Sequence, residues 1–401
     1  MNLNELNSKE LFELVLSYKN EKVLSLKEIL SEYNIIPFSI NEVLNLLRAD
    51  PGNILLIDAR SEKEFSETSI PHAINFPVLT NEERHNVGLV YKKYSQSAAI
   101  RLAVDFAEPK TNSLKKFLEE NKAGDKQIIV NCWRGGGRSS YLSKMLSDLG
   151  YSSKVVSGGI KSYRKEVNKT LTAEIFPYEL IEISGLTGCG KTDLLKSVSE
   201  KLPVIDLENA AKHFSSLLGH IPYEITGIKK VTGQTEFENN IYAQIRLNNS
   251  EYSVHENPGF PFLIESESKR VGKFNVPENI YGKMEAAKTV KLTGSLHHRI
   301  NRIIKDYFSD RDAGIKLMLE LFRSKEKFFR QQLSKILFDD LILKLENGNV
   351  YEFTEIMIKD YYDKRYREKK KTPVMEINTD DMDRASAELV EFYVNDLSGD
   401  K

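Results

Sequence analysis

The sequence predicts two parallel α/β domains in tandem, followed by a mainly helical C-terminal region. Three observations carry this reading. Short β-type apolar runs ending at small or polar residues alternate with helical patterns through the first 170 residues. The same alternation restarts near residue 178. Beyond residue 305, helical spacing takes over.

In chain order, Leu11, Leu14, Val15 and Tyr18 share one helical face, and Val43, Leu46 and Leu47 share another. Residues 1–36 read as a helical N-terminal extension. In the first α/β domain, 37–170, the runs "ILLI" (54–57), "IIV" (128–130) and "VV" (155–156) read as strands. They lead to Asp58, Cys132 and Ser157-Gly158-Gly159 respectively. Tyr141, Leu142, Met145, Leu146 and Leu149 line one face of a helix that Gly150 stops. In the second α/β domain, 178–305, "YELIEISG" (178–185) reads as a buried strand and "TDLLKSVSEKL" (192–202) as the helix after its loop. Residues 306–401 read as helical, with one turn signal at "ENGN" (346–349).

The chain of 401 residues is long enough for two or three domains, and its net charge is -1. A nucleic-acid partner would therefore need a local basic patch. Two cysteines cannot build a disulfide framework, which points to a reducing compartment. The first residues lack a basic leader with an apolar core, and no apolar run approaches membrane-spanning length. These features predict a soluble, cytoplasmic protein with no membrane partner.

In "CWRGGGRS" (132–139) a strand runs into Cys132, then Arg134, Gly135, Gly136, Gly137, Arg138 and Ser139, and then a helix. Glycines let backbone N–H groups converge on an anion, and the helix N-terminus and two arginines add positive charge. Such a setting favours thiolate over thiol and makes Cys132 the candidate nucleophile. A free Cys is commonly a small buried residue, but that role needs neither the glycines nor the arginines.

"GLTGCGKT" (185–192) fits G-x-x-x-x-G-K-T, follows a predicted strand and opens a predicted helix. Gly185, Gly188 and Gly190 would let the backbone wrap a diphosphate, Lys191 would neutralise it, and Thr192 could hold Mg²⁺. Cys189 reads as a small loop residue. The acidic partner is open between Asp206 with Glu208 and Glu265 with Glu267, both pairs following strand-like runs. No dedicated metal-ligand cluster is predicted. Arg299 and Arg302 share a helical face that would either support the phosphate loop or lie in solvent.

The Cys-x5-Arg spacing resembles the active-site loop of the rhodanese fold and of phosphatases built on that fold. "LLIDARSEKEF" (55–65), "IPHAINFP" (70–77) and "VVSGGIKSYRKEV" (155–167) resemble other rhodanese segments, which implies structural pairing of Asp58 with Arg60. With the phosphate loop, "DLENAAKH" (206–213), "FEN" (237–239), "ESESKRVG" (265–272) and "YYDKRY" (361–366), the chain resembles the bacterial tRNA 2-selenouridine synthase family over most of its length. The resemblance implies a substrate, wobble 2-thiouridine of tRNA, whose sulfur is exchanged for selenium from selenophosphate through an S-geranyl intermediate made from geranyl diphosphate. It implies Cys132 as selenium carrier and the 185–192 loop as diphosphate site. Whether ATP binds is left open, and a selenophosphate-supplying enzyme is a possible partner. The segment 361–372 interleaves basic residues with Tyr361, Tyr362 and Tyr366, suiting either tRNA contact or a solvated helix end. Three alternatives use the same motifs: a sulfurtransferase fused to a nucleotide-binding domain, a Cys-based phosphatase, and a non-enzymatic tRNA-binding protein.

Overall fold

The computed structural model describes residues 8–18, 33–255, 259–366 and 371–398, together with Leu3 and Glu28. The chain divides into two compact units, Met1–Val167 and Asn168–Lys401.

In the first unit, β1 (Ile36–Phe38), β2 (Ile54–Asp58), β3 (Ile74–Asn75), β4 (Gln127–Asn131) and β5 (Ser153–Val156) form one parallel sheet in the order β1-β5-β4-β2-β3. β2 and β4 are buried along nearly their whole length, as strands covered on both faces must be. The helix Gly137–Asp148 follows β4, and Leu142, Met145 and Leu146 are buried from it as its periodicity predicts. The helix Ile40–Ala49 starts at a capping box, Ser39 with Glu42. The strand β1 falls inside a stretch read as helical. It is three residues long and takes its identity from pairing with β5, a non-local contact that no local pattern announces. Of the N-terminal extension, Ser8–Ser17 is helical and buries Leu11 and Val15; residues 19–27 and 29–32 lie outside the described residues.

In the second unit, β6 (Leu180–Gly185), β7 (Val204–Ile205), β8 (Phe262–Glu265), β11 (Lys288–Thr293) and β12 (Met375–Asn378) form a parallel sheet in the order β12-β11-β6-β8-β7. The short strands β9 (Arg270–Val271) and β10 (Phe274–Asn275) pair separately and antiparallel. The region beyond residue 306 is mainly helical, as the sequence predicts. One strand that the reading did not identify returns the chain to this sheet: β12 pairs with β11, and the helix Met382–Ser398 after it packs Ala385, Leu389 and Tyr393 into the core. Between these parts, helices from Arg311 to Ile356 build a second core on stacked aromatics, with the Phe322 and Phe329 rings 4.1 Å apart.

Both candidate loops follow a central strand of their sheet. β4 lies between β5 and β2, and β6 between β11 and β8. In open α/β sheets, the carboxyl ends of central strands are where ligand crevices form.

Candidate active sites

The first site is a tight turn between β4 and the helix Gly137–Asp148. Gly135 takes φ +66°, and a Cβ there would lie 2.2 Å from the Val156 carbonyl oxygen, so the turn requires glycine. The turn after β5 braces the loop from below: the Ile160 N–H donates to the Cys132 carbonyl at 2.8 Å and the Lys161 N–H to the Trp133 carbonyl at 3.2 Å. Cys132 is buried, and its Sγ lies 3.1 Å from Ser139 Oγ. Trp133 and Arg134 are exposed beside it. Arg138 makes a forked pair with Glu64, 2.5 Å and 3.3 Å, and Arg84 approaches the same carboxylate at 3.0 Å. Burial opposes ionisation of Glu64, but the two guanidiniums win and hold its carboxyl below the usual range. The sequence reading missed Glu64, which lies 74 positions from Arg138. Asp58 and Arg60 form a fully buried pair at 2.7 Å, with Asn131 also donating to Asp58. Their place is structural, as expected.

The second site is the phosphate loop between β6 and the helix Lys191–Val198. Gly190 caps this helix at φ +77°. Lys191 Nζ donates to the Gly185 carbonyl at 3.0 Å, folding the side chain back over the loop. Arg299 and Arg302 brace the loop by its carbonyls. Arg299 Nε reaches Thr187 O at 2.9 Å and its fork grips Asp363 at 2.6 Å and 3.0 Å. Arg302 reaches Gly188 O at 3.3 Å and bonds the Thr379 carbonyl. Arg299 is buried, so this helical face does not lie in solvent. Cys189 is a buried loop residue whose thiol is pushed up by burial.

The choice between two acidic pairs has a combined answer. Thr192 Oγ1 donates to Glu208 at 3.1 Å and to Glu265 at 3.4 Å, and the Glu208 N–H donates to Glu265 at 2.7 Å. Carboxylate oxygens of Glu208, Glu265 and Glu267 lie within 4.8 Å of one another. Asp206 instead caps the helix Leu207–Ala211. β7 and β8 thus deliver carboxylates from distant segments to the threonine of the loop. Burial, followed by repulsion from Glu267, pushes Glu208 up to about 8. Burial followed by Glu208 and Asp206 raises Glu265. Three crowded acids beside a Thr hydroxyl form an all-oxygen donor set that suits a hard divalent cation.

The phosphate loop opens into a cavity of about 450 Å³. Its lining joins Lys191, Lys196 and Arg302, the carboxylates Asp193, Glu208, Glu267 and Asp306, and the apolar side chains Phe214, Leu218, Ile303, Phe308, Met318 and Phe353. Ile303, Met318 and Phe353 come from helices, and Phe214, Leu218 and Phe308 from the segments that connect helices. No local signal separates a pocket wall from a core position, so the reading missed them.

The described residues of the basic and aromatic segment, 361–366 and 371–372, make internal contacts. Arg365 stacks on Tyr361 at 4.4 Å and bonds the Gln332 carbonyl at 2.7 Å. Tyr361, Tyr362 and Tyr366 line the phosphate-loop cavity. Lys371 pairs at 2.8 Å with Glu182, a fully buried carboxylate in β6. Lys369 and Lys370 lie outside the described residues.

Residues 39–166 match the rhodanese-like domain, and residues 178–339 match the tRNA 2-selenouridine synthase AAA domain. A tRNA 2-selenouridine synthase of Bdellovibrio bacteriovorus is 30% identical over 270 residues, covering 66% of this chain and 67% of that protein. The chain belongs to the tRNA 2-selenouridine synthase family. A family member from Nitrosomonas europaea is 31% identical over 63% of each chain, so the match spans just under two thirds of that relative's length. With the Marinobacter nauticus member the alignment is longer, 81% of this chain and 90% of that one at 28% identity. No helix among the described residues is long and apolar enough to cross a membrane.

Proposed function

We propose that the protein replaces the sulfur of wobble 2-thiouridine in tRNA with selenium, in two steps at two anion sites. In the first, the phosphate loop holds the diphosphate of geranyl diphosphate, and the thiouridine sulfur is alkylated as pyrophosphate leaves. In the second, the Cys132 loop takes selenophosphate, a single tetrahedral anion. The Cys132 thiolate displaces the alkylated sulfur at C2 as geranyl thiolate. The selenium of selenophosphate displaces Cys132 in turn, and water cleaves the Se–P bond to release phosphate. Alkylation converts a poor sulfide leaving group into a better thiolate. The observation that carries this reading is one cavity whose lining combines the phosphate loop and its basic residues with a set of apolar side chains. A diphosphate joined to an apolar chain matches both parts of that lining.

Lys191, Lys196 and Arg302 supply positive charge where the leaving diphosphate gains negative charge, a stabilisation commonly worth about 3–4 kcal/mol for one well-placed donor. The aromatic walls exclude water from an allylic carbon that water would otherwise capture. Thr192 with Glu208, Glu265 and Glu267 would hold Mg²⁺, whose chemistry is to neutralise the diphosphate. Arg134 and the exposed Trp133 suit a phosphate contact and a stacked base beside the thiol.

Nucleoside analysis of two variants tests the scheme. Lys191→Ala should leave 2-thiouridine unmodified, because no alkylated intermediate forms. Cys132→Ala should accumulate the S-geranyl nucleoside, and pre-geranylated tRNA should rescue only the Lys191 variant. If both variants accumulate one species, the division of labour is wrong, and the phosphate loop would then serve a nucleotide or the fold alone.

A further inference from the structure

The first unit contains a groove that a small-anion site does not need. The helices Asn81–Lys93 and Gln96–Ala107 form a hairpin inserted between β3 and β4. With the start of the helix Gly137–Asp148 they enclose about 530 Å³. Leu79, Val87, Leu89, Ala99, Ala103 and Tyr141 make its walls, and its end is formed by Gly137 and Arg138 of the Cys132 loop. Leu89 is 37% and Tyr91 57% exposed at its edge. Apolar surface left open beside the Cys132 loop marks a ligand site more often than a packing accident.

The rim is of the opposite character. Arg84, His85 and Lys92 line the same groove, and all three are exposed. An apolar floor with a cationic rim is complementary to an apolar chain carried by a polyanion. We propose that this groove receives the hydrocarbon chain of the sulfur-alkylated nucleoside while its C2 atom is presented to the Cys132 loop. This inference rests on the two-step reading above. It adds a second apolar site, separate from the cavity that holds the chain in the diphosphate donor. Free selenophosphate and unalkylated thiouridine would leave it empty, so the groove would select the activated intermediate for exchange.

Gly88 offers a clean perturbation. It sits mid-helix on the groove wall, its φ is not positive, and a Cβ there would meet nothing within 4 Å. The series Gly88→Ala, Gly88→Leu and Gly88→Phe therefore fills the groove stepwise, and each change favours helix over glycine.

The substrate is a synthetic anticodon stem-loop carrying S-geranyl- or S-methyl-2-thiouridine, with the full chain and selenophosphate. Wild type should favour the geranyl form. The Ala variant should stay close to it, and the Leu and Phe variants should lose kcat/KM for the geranyl form progressively, by about tenfold or more at Phe. Alkylation by geranyl diphosphate should hold constant across the series, and Tm should not fall. Unchanged geranyl turnover in the Leu and Phe variants overturns the inference and leaves the two-step reading standing. Equal wild-type preference for methyl and geranyl also overturns it. If wild type converts neither alkylated form, the two-step reading itself falls and takes the groove assignment with it.

Discussion

Replacing Lys371 with Met separates a structural role from a tRNA contact, because the structure commits this lysine to the interior. Glu182 in β6 is 0% exposed. Its carboxylate accepts from Ser266 Oγ at 2.6 Å, Thr289 Oγ1 at 3.0 Å and Lys371 Nζ at 2.8 Å. The ammonium also donates to the Met284 carbonyl at 2.9 Å and the Ala287 carbonyl at 3.3 Å. Met keeps the apolar stem and removes only the charge and its donors. Taking one partner from a buried ion pair costs about 3–5 kcal/mol, since the other charge stays desolvated. Two hydroxyls remain on Glu182, and the Lys371 side chain is 21% exposed, so water reaches that side. The low end, about 3 kcal/mol, is expected. For a unit of this size each kcal/mol moves Tm by about 2–4 °C, so a loss of about 6–12 °C should appear by calorimetry in the transition of the second unit. Adding Glu182→Gln to Lys371→Met removes the stranded charge and should restore most of the loss. The slope of log K for tRNA against log salt should not change. An unchanged Tm with a slope flatter by about 1 would refute this assignment and return Lys371 to the phosphate backbone of tRNA.

The crowded acids predict a pH effect. Glu208 is raised to about 8, so the folded state holds a proton that the unfolded state releases, and stability should fall as pH rises from about 4.5 to 8. With EDTA the loss should be on the order of 3–5 kcal/mol. Millimolar Mg²⁺ at pH 8 should restore it, and a Tm independent of both pH and Mg²⁺ would contradict the cluster. Gly135→Ala places a Cβ 2.2 Å from the Val156 carbonyl oxygen at a left-handed φ. It should cost about 1–3 kcal/mol and block selenium exchange, with S-geranyl nucleoside accumulating by mass spectrometry. Retained exchange would show that the loop tolerates distortion. Met318→Trp should fill the apolar part of the second cavity and weaken geranyl diphosphate binding by about tenfold in calorimetric titration while leaving inorganic pyrophosphate unaffected. Equal loss for both ligands would place the chain elsewhere.

Both glycine-rich loops were legible in the residues alone because each is local. Consecutive backbone N–H groups, one or two glycines and the next helix make the cradle, and all of it lies within eight adjacent positions. The parallel character of both sheets was legible too, since buried strands read as continuous apolar runs. Other features depend on folding distance. The strands β1 and β12 are short and gain their identity from a partner strand. Glu208 and Glu265 are ordinary acids in sequence, and only burial, followed by repulsion from neighbouring carboxylates, gives them raised pKa values. Lys371 reads as part of a basic tail, yet it neutralises Glu182, 189 positions away. Met318 and Phe353 obey the periodicity of core residues, and the same side chain is a core residue or a pocket wall according to whether a neighbouring helix closes over it. Chemistry carried by adjacent residues is written along the chain. Chemistry that arises from desolvation, charge repulsion and unfilled volume exists only once distant segments have come together, because each of these energies depends on separations in space.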